Sequence, residues 1–286
     1  MTAGRPPTRW RTVAKDPKHD DRLRYEGWTV TEAPIIDQVT RDELRDRFLQ
    51  LHGPEGDGWH NGFNSLDFAY RTGSWDAIRA ALEKPVTALF AEYRGFNFAF
   101  LCKWPGPESH LFIHQDWMYI EERPDRRTYA VMVALEDIDE PNGRPYVVSR
   151  SHLLPTIRRG TDLYAPWWKD ADELEKRAEP VPVPAGHAAI WDSALVHFSV
   201  ANLTDRPRIA AGLGVAPVGE PLVHYRRSGP GRADRFTISE RFFSESHPST
   251  LLAGPPPFPH DGTFDTDERD LEPGELLAEL DQLRSA

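Results

Sequence analysis

Residues 111–120, LFIHQDWMYI, place His114 and Asp116 inside an apolar and aromatic run. Side chains on a β-strand alternate between its two faces, so on a strand these two would point the same way, about 6.6 Å apart along it. An imidazole and a carboxylate placed in this way can share one metal ion. The alternative interpretation is a core Asp116 that is satisfied by local hydrogen bonds, with His114 filling space.

The His-x-Asp pattern has little weight by itself, because a chain of this composition contains about one such triplet by chance. A second copy begins at His19, inside the charged stretch 15–22, KDPKHDDR. That stretch predicts a solvated surface. The copy at His114 is the better candidate, because an unpaired carboxylate among apolar neighbours would be costly.

A distant histidine can complete the metal site. His197 lies in the apolar run 195–200. Two histidines and one carboxylate form the facial triad that is typical of non-haem iron(II) sites. Such a triad leaves three coordination positions open, which is enough for a bidentate oxoacid and dioxygen. His114, Asp116 and His197 are therefore the candidate metal ligands and catalytic residues.

Arg208 opens the run 208–216, RIAAGLGVA. On a strand it shares a face with Ala210, Gly212 and Gly214, and small residues beneath an inward arginine leave room for a ligand. A guanidinium in that position can clamp a carboxylate through two parallel hydrogen bonds. The alternative is an ordinary surface charge at the start of a strand, as we expect for Arg206.

From residue 95 onward, short apolar runs alternate with turn residues, which predicts an all-β sandwich or barrel. Two helices are predicted before it. The first begins at the capping box Thr40–Glu43, and the second has Ser74 as its N-cap and runs to about residue 93. This order favours a jelly roll with flanking helices packed on its outside. The predicted strands span residues 96–104, 111–120, 128–135, 146–148, 188–191, 195–200 and 208–216.

The expected domain organisation is a loosely ordered segment, residues 1–22, followed by a single domain, residues 23–286. Within the domain we expect a helical lead-in at 40–93, a β core at about 95–218 and a C-terminal extension at 219–286. Residues 160–180, which are rich in charge and tryptophan, are a candidate lid. In the extension, residues 236–243 and 275–283 are predicted to be helical.

Composition limits the possible partners. A net charge of −11 repels phosphate backbones and argues against nucleic-acid binding. The one cysteine, Cys102, allows no intramolecular disulfide, fits a reducing compartment and is expected to be a buried, inert thiol. We find neither an apolar run of the roughly 20 residues that a membrane helix needs nor a secretory signal. The expectation is a cytoplasmic monomer or homodimer that acts on a small molecule.

Across residues 95–216 the chain resembles the phytanoyl-CoA dioxygenase family of iron(II)/2-oxoglutarate oxygenases. The resemblance rests on the order and spacing of several motifs. These are Lys103-x-Pro105-Gly106, His114-Gln115-Asp116-Trp117, Asn142-Gly143, Ser149-x-Ser151-His152, Gly186, His197-x-Ser199-x-x-Asn202 and Arg208. One departure is Arg150, at a position where the family favours glycine in a turn.

The resemblance implies a cupin-like jelly roll, also called a double-stranded β-helix, with iron(II) held by the candidate triad. It also implies that Arg208 binds the distal carboxylate of the co-substrate 2-oxoglutarate, assisted by Ser199, and that Met132 and Asn97 lie near the co-substrate pocket. Dioxygen is the second co-substrate. The retained Asp116 favours hydroxylation of an unactivated C–H bond, with release of succinate and CO2, over halogenation.

Several residues are candidate substrate contacts, with ordinary core or surface roles as the alternative. They are Trp117, Tyr119, His152, Tyr164, Trp167, Trp168, Arg226 and Arg227. Two other functions stay open at this point. One is a non-catalytic jelly-roll binding protein with a decayed metal site. The other is a cupin-type metalloenzyme that does not use 2-oxoglutarate and would not need Arg208.

Overall fold

The computed structural model describes residues 11–163, 165–254, 258–266, 268–269 and 271–285. The α-helices are α1 Pro17–Tyr25, α2 Gln38–His52, α3 Phe68–Thr87, α4 Ala171–Lys176, α5 Phe242–Glu245, α6 Pro248–Ala253 and α7 Glu275–Ser285. The strands are β1 Trp28–Val30, β2 Trp59–Asn61, β3 Tyr93–Lys103, β4 Leu111–His114, β5 Tyr129–Ala134, β6 Pro145–Val147, β7 Glu179–Pro180, β8 Ala188–Asp192, β9 His197–Ser199, β10 Arg208–Pro217, β11 Val223–Gly229, β12 Arg232–Thr237 and β13 His260–Asp265.

Two antiparallel sheets form the β core. The larger has the order β1-β8-β5-β10-β3-β2, and the smaller has the order β4-β9-β6-β7. Strands that are neighbours in a sheet are often distant in sequence, as β4 and β9 are. This architecture is the jelly roll with flanking helices that the sequence predicted, and the prediction of fold class is confirmed.

The core is layered around the six-stranded sheet. Apolar side chains on its outer face, such as Phe98 and Phe100, pack against the buried faces of α2 and α3. Its inner face contributes a second cluster that includes Met132 and Ala210. A third cluster covers the four-stranded sheet, where Ile113, Val196 and Phe198 meet the segment around Trp167 and the leucines of α7.

The helix starts differ from the prediction, because aspartates rather than hydroxyl residues cap them. Asp37 caps α2 by accepting a hydrogen bond from the backbone N–H of Thr40, so the capping box predicted at Thr40 is wrong. Asp67 caps α3 by accepting from the N–H groups of Ala69 and Tyr70. Ser74 is buried in the second turn of that helix, and the prediction that it is the N-cap is wrong.

The expectation of a loosely ordered segment through residue 22 is wrong for residues 17–22, which lie in α1. Asp20, predicted to be solvated, is only 6% exposed. Its carboxylate accepts from the backbone N–H groups of Val13 and Ala14, at 2.6 and 3.1 Å, and pairs with Arg24. These contacts hold residues 13–14 against α1. Asp20 is the middle residue of the second His-x-Asp triplet, and Asp21, the aspartate of the pattern, is exposed as predicted.

The C-terminal extension builds its own three-stranded sheet, β11-β12-β13. Residues 236–237 end β12 and only Phe242 and Phe243 of the predicted helix 236–243 are helical, so that prediction is largely wrong. The terminal helix is confirmed as α7. The β core also begins earlier than residue 95, because β1 and β2 add strands to the two edges of the larger sheet.

Arg150 adopts the left-handed conformation, with a φ of 70°, at the turn where the family favours glycine. Its guanidinium pairs with Glu26 and donates to the backbone carbonyl of Leu283 in α7, at 2.8 Å. An arginine in this conformation costs free energy that glycine would not. Those contacts offset that cost and fasten the C-terminal helix to the turn.

Candidate metal centre

Three side chains converge where β4 and β9 pair. His114 ends β4 and is directly opposite His197, the first residue of β9. Asp116 follows two residues later, in irregular backbone. One ligand atom from each of the three lies within 4.8 Å of the other two. The strand argument for Asp116 is wrong in detail, because β4 stops at His114, but the carboxylate still reaches the same point.

Both imidazoles are oriented by their own backbone. Nδ1 of His114 contacts the carbonyl of Phe112 at 2.8 Å, and Nδ1 of His197 contacts the carbonyl of Leu195 at 2.9 Å. A carbonyl only accepts, so each Nδ1 carries the proton and each Nε2 offers a lone pair to a metal. Burial and the neighbouring His197 lower the pKa of His114 to about 4, which keeps the ring neutral.

The Asp116 loop is held by two donors that come from elsewhere in the chain. The indole N–H of Trp191, on β8, donates to Oδ2 of Asp116 at 3.2 Å. Nε of Arg159 donates to the Asp116 backbone carbonyl at 2.8 Å. The indole bond leaves Oδ1 for a metal, which is how outer partners commonly orient a carboxylate ligand.

Arg159 belongs to a buried ionic network behind the site. It pairs with Glu122 at 2.5 Å, and Glu122 is also 3.7 Å from Arg127. Arg127 in turn binds both carboxylate oxygens of Asp192, at 2.9 and 3.2 Å. The guanidinium of Arg127 holds the pKa of Asp192 below its usual value although burial alone would raise it. The network fixes the loop after β4 against the end of β8.

A cavity of about 360 Å³ opens beside the three ligands, between the two sheets. Its lining is largely apolar and aromatic, with a few amides and hydroxyls. The lining residues used below are Phe63, Asn64, Phe96, Asn97, His114, Asp116, Tyr119, Met132, Trp191, His197, Ser199, Arg208, Gly212, Leu213 and Gly214. A volume of this size fits a small-molecule site, for which roughly 300 to 1,000 Å³ is usual.

Arg208 lies inside, not on the surface. It is 2% exposed and lines the cavity, whereas the Arg206 side chain is 70% exposed and faces Glu136 at 3.8 Å. Nη2 of Arg208 donates to the Gly143 carbonyl at 3.1 Å, but Nη1 has no hydrogen-bond partner among the described residues. Burial lowers the pKa of Arg208 to about 10, so the guanidinium remains charged at neutral pH.

The glycines after Arg208 line the cavity, and they also serve the packing between β10 and β3. Gly212 and Gly214 line the cavity, but a Cβ on Gly214 would lie 2.4 Å from the Phe96 ring, and one on Gly212 would lie 2.9 Å from the Leu101 side chain. The glycines therefore make room for side chains of β3 across the sheet. Ser199, Met132 and Asn97, the other expected co-substrate contacts, all line the cavity.

The candidate substrate contacts fall into two groups, those that line the cavity and those that do not. Tyr119 lines the cavity, but Trp117, His152, Trp167 and Arg226 are absent from its described lining. His152 is buried and contacts the carbonyl of Arg24 at 3.1 Å, so it holds a turn. Arg226 donates to the carbonyl of Leu251. Tyr164 lies outside the described residues.

The candidate lid, residues 160–180, is anchored instead of projecting over the cavity. Trp167 and Leu174 are buried with α7, and Trp168 is 61% exposed. The Trp167 indole donates to the side-chain carbonyl of Gln115 at 3.0 Å, and the Gln115 amide donates to the carbonyl of Ala194 at 2.5 Å. Gln115 thus links the segment 160–180 to the backbone at Ala194, which lies between Trp191 and His197 in sequence.

Sequence reasoning missed Trp191, Arg159 and Gln115. Gln115 was visible as the middle residue of His-x-Asp, where the strand argument points it away from the metal and toward a neighbouring element. Trp191 and Arg159 reach the Asp116 loop only through the tertiary fold, 75 and 43 residues away in sequence. Nothing in their local sequence marks them.

Among the described residues, no helix has the length and apolar character that crossing a membrane requires.

Comparisons with known proteins agree with this fold. Phytanoyl-CoA dioxygenase domain-containing protein 1 of Danio rerio is 31% identical over 119 residues, a match that covers 38% of this chain and 40% of the relative. The match thus spans less than half of that relative's length.

Two solved structures illustrate the likeness in fold. The epimerase SnoN, in complex with Fe³⁺, alpha ketoglutarate and nogalamycin RO, superposes with a TM-score of 0.54 at 21% identity, over 74% of this chain and 86% of that one. HygX from Streptomyces hygroscopicus, with nickel and 2-oxoglutarate bound, gives 0.53 at 16% identity, over 72% and 88%.

The family model described as phytanoyl-CoA dioxygenase (PhyH) matches residues 30–210. This range contains the three candidate ligands and Arg208, and it is more than half of the chain. The protein therefore belongs to the phytanoyl-CoA dioxygenase family.

Proposed function

We propose that this protein is an iron(II)/2-oxoglutarate-dependent oxygenase that acts on a small organic molecule. The observation that carries the proposal is the convergence of two imidazoles and one carboxylate within 4.8 Å at the edge of a cavity of about 360 Å³. Two histidines and a carboxylate with open positions are the donor set of non-haem iron(II) oxygenases. The bound iron and 2-oxoglutarate of SnoN, and the bound 2-oxoglutarate of HygX, support the same assignment.

Arg208 fits the distal carboxylate of 2-oxoglutarate. It is a buried guanidinium whose Nη1 lacks a partner among the described residues, and such a group is costly unless a ligand satisfies it. A carboxylate supplies both the charge and the acceptor, and the hydroxyl of Ser199 lines the same cavity. A cupin that does not use 2-oxoglutarate would have no need of this arginine, nor would a scaffold protein.

When iron(II), 2-oxoglutarate and dioxygen are bound, they would supply an oxidant able to take hydrogen from an unactivated C–H bond, with succinate and CO2 as co-products. The chain's part is to hold the ligands, orient the substrate and exclude water. His114 and His197 turn Nε2 toward the metal position because each Nδ1 faces a backbone carbonyl, and Trp191 fixes one oxygen of Asp116. The largely apolar cavity keeps bulk water away from the reacting carbon.

Hydroxylation is the proposed outcome, because Asp116 occupies the position where halogenases of the family free a coordination site. Enzymes of this fold include an epimerase and the carbocyclase SnoK, so the fold alone does not set the product. Their placement in nogalamycin biosynthesis supports a small-molecule substrate. Product mass separates the outcomes, since hydroxylation adds one oxygen atom and epimerisation adds none.

The test is succinate formation by the iron-loaded protein with 2-oxoglutarate under air, together with iron(II) titration. The wild-type protein should bind one iron and release succinate, and His114→Ala and Asp116→Ala should each lose both properties. A wild-type protein that binds iron but releases no succinate, with or without added substrate, would contradict the proposal.

Arg208→Ala and Arg206→Ala form a matched pair. Only the first removes a guanidinium from the cavity, so only the first should raise the 2-oxoglutarate concentration that is needed for half-maximal succinate release. Iron binding should change little in both variants. An effect of Arg206→Ala equal to that of Arg208→Ala would place the carboxylate clamp elsewhere.

A further inference from the structure

Asn97 is a buried amide with an unused donor. Its side chain is 6% exposed and lines the cavity, and its Nδ2 makes no hydrogen bond within the described part of the chain. The hydroxyl of Tyr119, which also lines the cavity, lies close enough to the Asn97 amide to interact with it electrostatically, but the pair does not reach hydrogen-bond distance and angle. A buried donor without a partner costs free energy, and in a cavity it indicates an acceptor on the ligand.

The backbone is distorted where it carries Asn97. The residue has a φ of 52°, in the left-handed region, and the register between β3 and β10 shifts between Gly212 and Gly214. This is a β-bulge, a device that re-aims a side chain and is common beside active sites. Asparagine tolerates the left-handed region better than most residues. The strained backbone at Asn97 thus directs its amide into the cavity.

Asn97 lies near the middle of β3, whereas Arg208 lies at the start of β10, opposite the last residue of β3. The part of the cavity around Asn97 is called the Asn97 end. Arg208 pairs with Lys103, six residues along β3 from Asn97, a distance of about 20 Å. By contrast, Phe96, the neighbour of Asn97, lies in the same row across the strands as Gly214, Ala130 and Trp191. Trp191 is the residue whose indole donates a hydrogen bond to Asp116. A small diacid anchored on Arg208 is much shorter than this span. The Asn97 end, beside the Asp116 side of the metal site, is therefore left for the substrate.

The substrate end has no charged side chain to receive an ion. Among the described residues lining the cavity, the charged groups are Asp116 and Arg208, both already assigned. Around Asn97 the lining is aromatic or apolar, with Phe63, Phe96, Tyr119 and Leu213. The nearest buried arginine behind the metal site, Arg159, is committed to Glu122 and to the Asp116 carbonyl.

Large apolar side chains also follow Asn64, where the cavity opens. Asn64 is exposed and lines the cavity, so it marks an opening, and the exposed Leu66 and Phe68 follow it in sequence. Their exposed fractions are 82% and 56%, which is high for large apolar side chains. Asp67 and Arg71 lie among these residues, so it is the net charge of −11, and not an absence of charged groups near the opening, that disfavours a nucleotide or a phosphate group.

From this geometry we propose that the Asn97 end binds an uncharged, largely apolar substrate, and that Asn97 donates a hydrogen bond to a carbonyl oxygen of it. The inference rests on the proposed oxygenase function for the chemistry that follows binding, but not for binding itself. It predicts that acyl-CoA thioesters, which carry several negative charges, bind more weakly than an uncharged ketone.

The test uses four probes: α-tetralone, tetralin, tetralin carboxylate and butyryl-CoA. Each is titrated by calorimetry into the full-length protein, both metal-free and loaded with iron(II) and 2-oxoglutarate without oxygen. α-Tetralone should bind about tenfold more tightly than tetralin, the effect of one buried hydrogen bond. The two anionic probes should bind more weakly still.

Asn97→Gly removes the amide and keeps the backbone conformation accessible. It should abolish the preference for the ketone over the hydrocarbon while leaving 2-oxoglutarate binding unchanged. If Asn97→Gly instead weakens the binding of 2-oxoglutarate and leaves the preference for the ketone intact, Asn97 is a co-substrate contact and the inference is wrong. It is also overturned if the carboxylate or the thioester binds as tightly as the ketone, or if no probe binds.

Failure of the proposed function would look different. In that case iron or 2-oxoglutarate would not bind, or no succinate would form, while the order of probe affinities in the metal-free protein would still report on the cavity.

Discussion

Trp191 is the residue that decides how Asp116 presents its carboxylate. Its indole N–H is the hydrogen-bond donor to Oδ2 of Asp116, at 3.2 Å. Trp191→Phe keeps an aromatic ring but frees that oxygen, so metal affinity should fall by about 10- to 100-fold, as is usual when an outer partner of a ligand is lost. Mn²⁺ binding followed by electron paramagnetic resonance measures the change.

Trp75→Phe is the control, because that buried indole N–H lacks a partner among the described residues and lies in α3. Its metal affinity should equal that of the wild type. Equal affinities for Trp191→Phe and the wild type would show that Asp116 does not depend on the indole.

Lys103 should make stability depend on pH. It is fully buried beneath Arg208, and burial lowers its pKa from 10.5 to about 6. Since the unfolded chain binds this proton more tightly, folding is penalised as pH falls from about 10.5 to about 6. Lys103→Met removes the penalty, so the variant should gain stability relative to the wild type as pH decreases across that window.

Urea unfolding of the two metal-free proteins at several pH values measures this difference. A difference that stays constant between pH 6 and 10 would mean that Lys103 keeps its proton in the fold. The ammonium would then be satisfied by the carbonyls of Ser109 and Ser199, toward which Nζ points.

At the scale of single residues, the sequence identified side chains that the fold brings together, but it misplaced part of the backbone that carries them. His114 and Asp116 were recognised from residue type and apolar surroundings, and Arg208 from the small residues that follow it. Gly212 and Gly214 line the cavity, and they also leave room for the side chains of Phe96 and Leu101. Trp191 could not be found, because its contact with Asp116 exists only once β8 lies beside the loop after β4.

Helix α3 offers a prediction at the scale of an element. Asp67, and not Ser74, caps it, with its carboxylate bound to two backbone N–H groups. Asp67→Ala should lower the free energy of unfolding by about 1 kcal/mol, the usual cost of losing a cap. Ser74→Ala should cost less, since its hydroxyl is buried without a hydrogen-bond partner in the described part of the chain. Thermal unfolding of the two variants compares them, and the opposite order would restore Ser74 as the helix start.

Elements were predictable where hydrophobic runs ended in turn residues. The runs at 96–104, 128–135, 188–191 and 208–216 correspond to β3, β5, β8 and β10 to within about three residues. The run 111–120 was read as one strand although β4 ends at His114. The backbone beyond it is fixed by remote donors, above all Arg159, and local sequence does not encode those.

At the scale of the whole molecule, the jelly roll followed from many short strands behind two helices, whereas the meeting of His114 with His197 did not. That pairing joins residues 83 positions apart and depends on β4 and β9 being neighbours in the smaller sheet. The role of the C-terminal extension was equally hidden. Its last helix lies beyond the family match, yet it packs against the cluster that contains Ile113 and Val196.

That packing predicts that the C-terminal helix and the metal site unfold together. Leu280 is fully buried in the cluster shared by α7, Trp167, Ile113 and Val196, and the last two adjoin His114 and His197 in sequence. Leu280→Ala should lower the free energy of unfolding by about 2 to 5 kcal/mol, because it removes packed methyl groups and leaves a cavity. It should do so in one transition, at which metal binding and tertiary structure are lost at the same temperature. Calorimetry and metal release, recorded on the same heating ramp, test this prediction. If α7 unfolds first while metal stays bound, the β core is stable without the helix and the prediction is wrong.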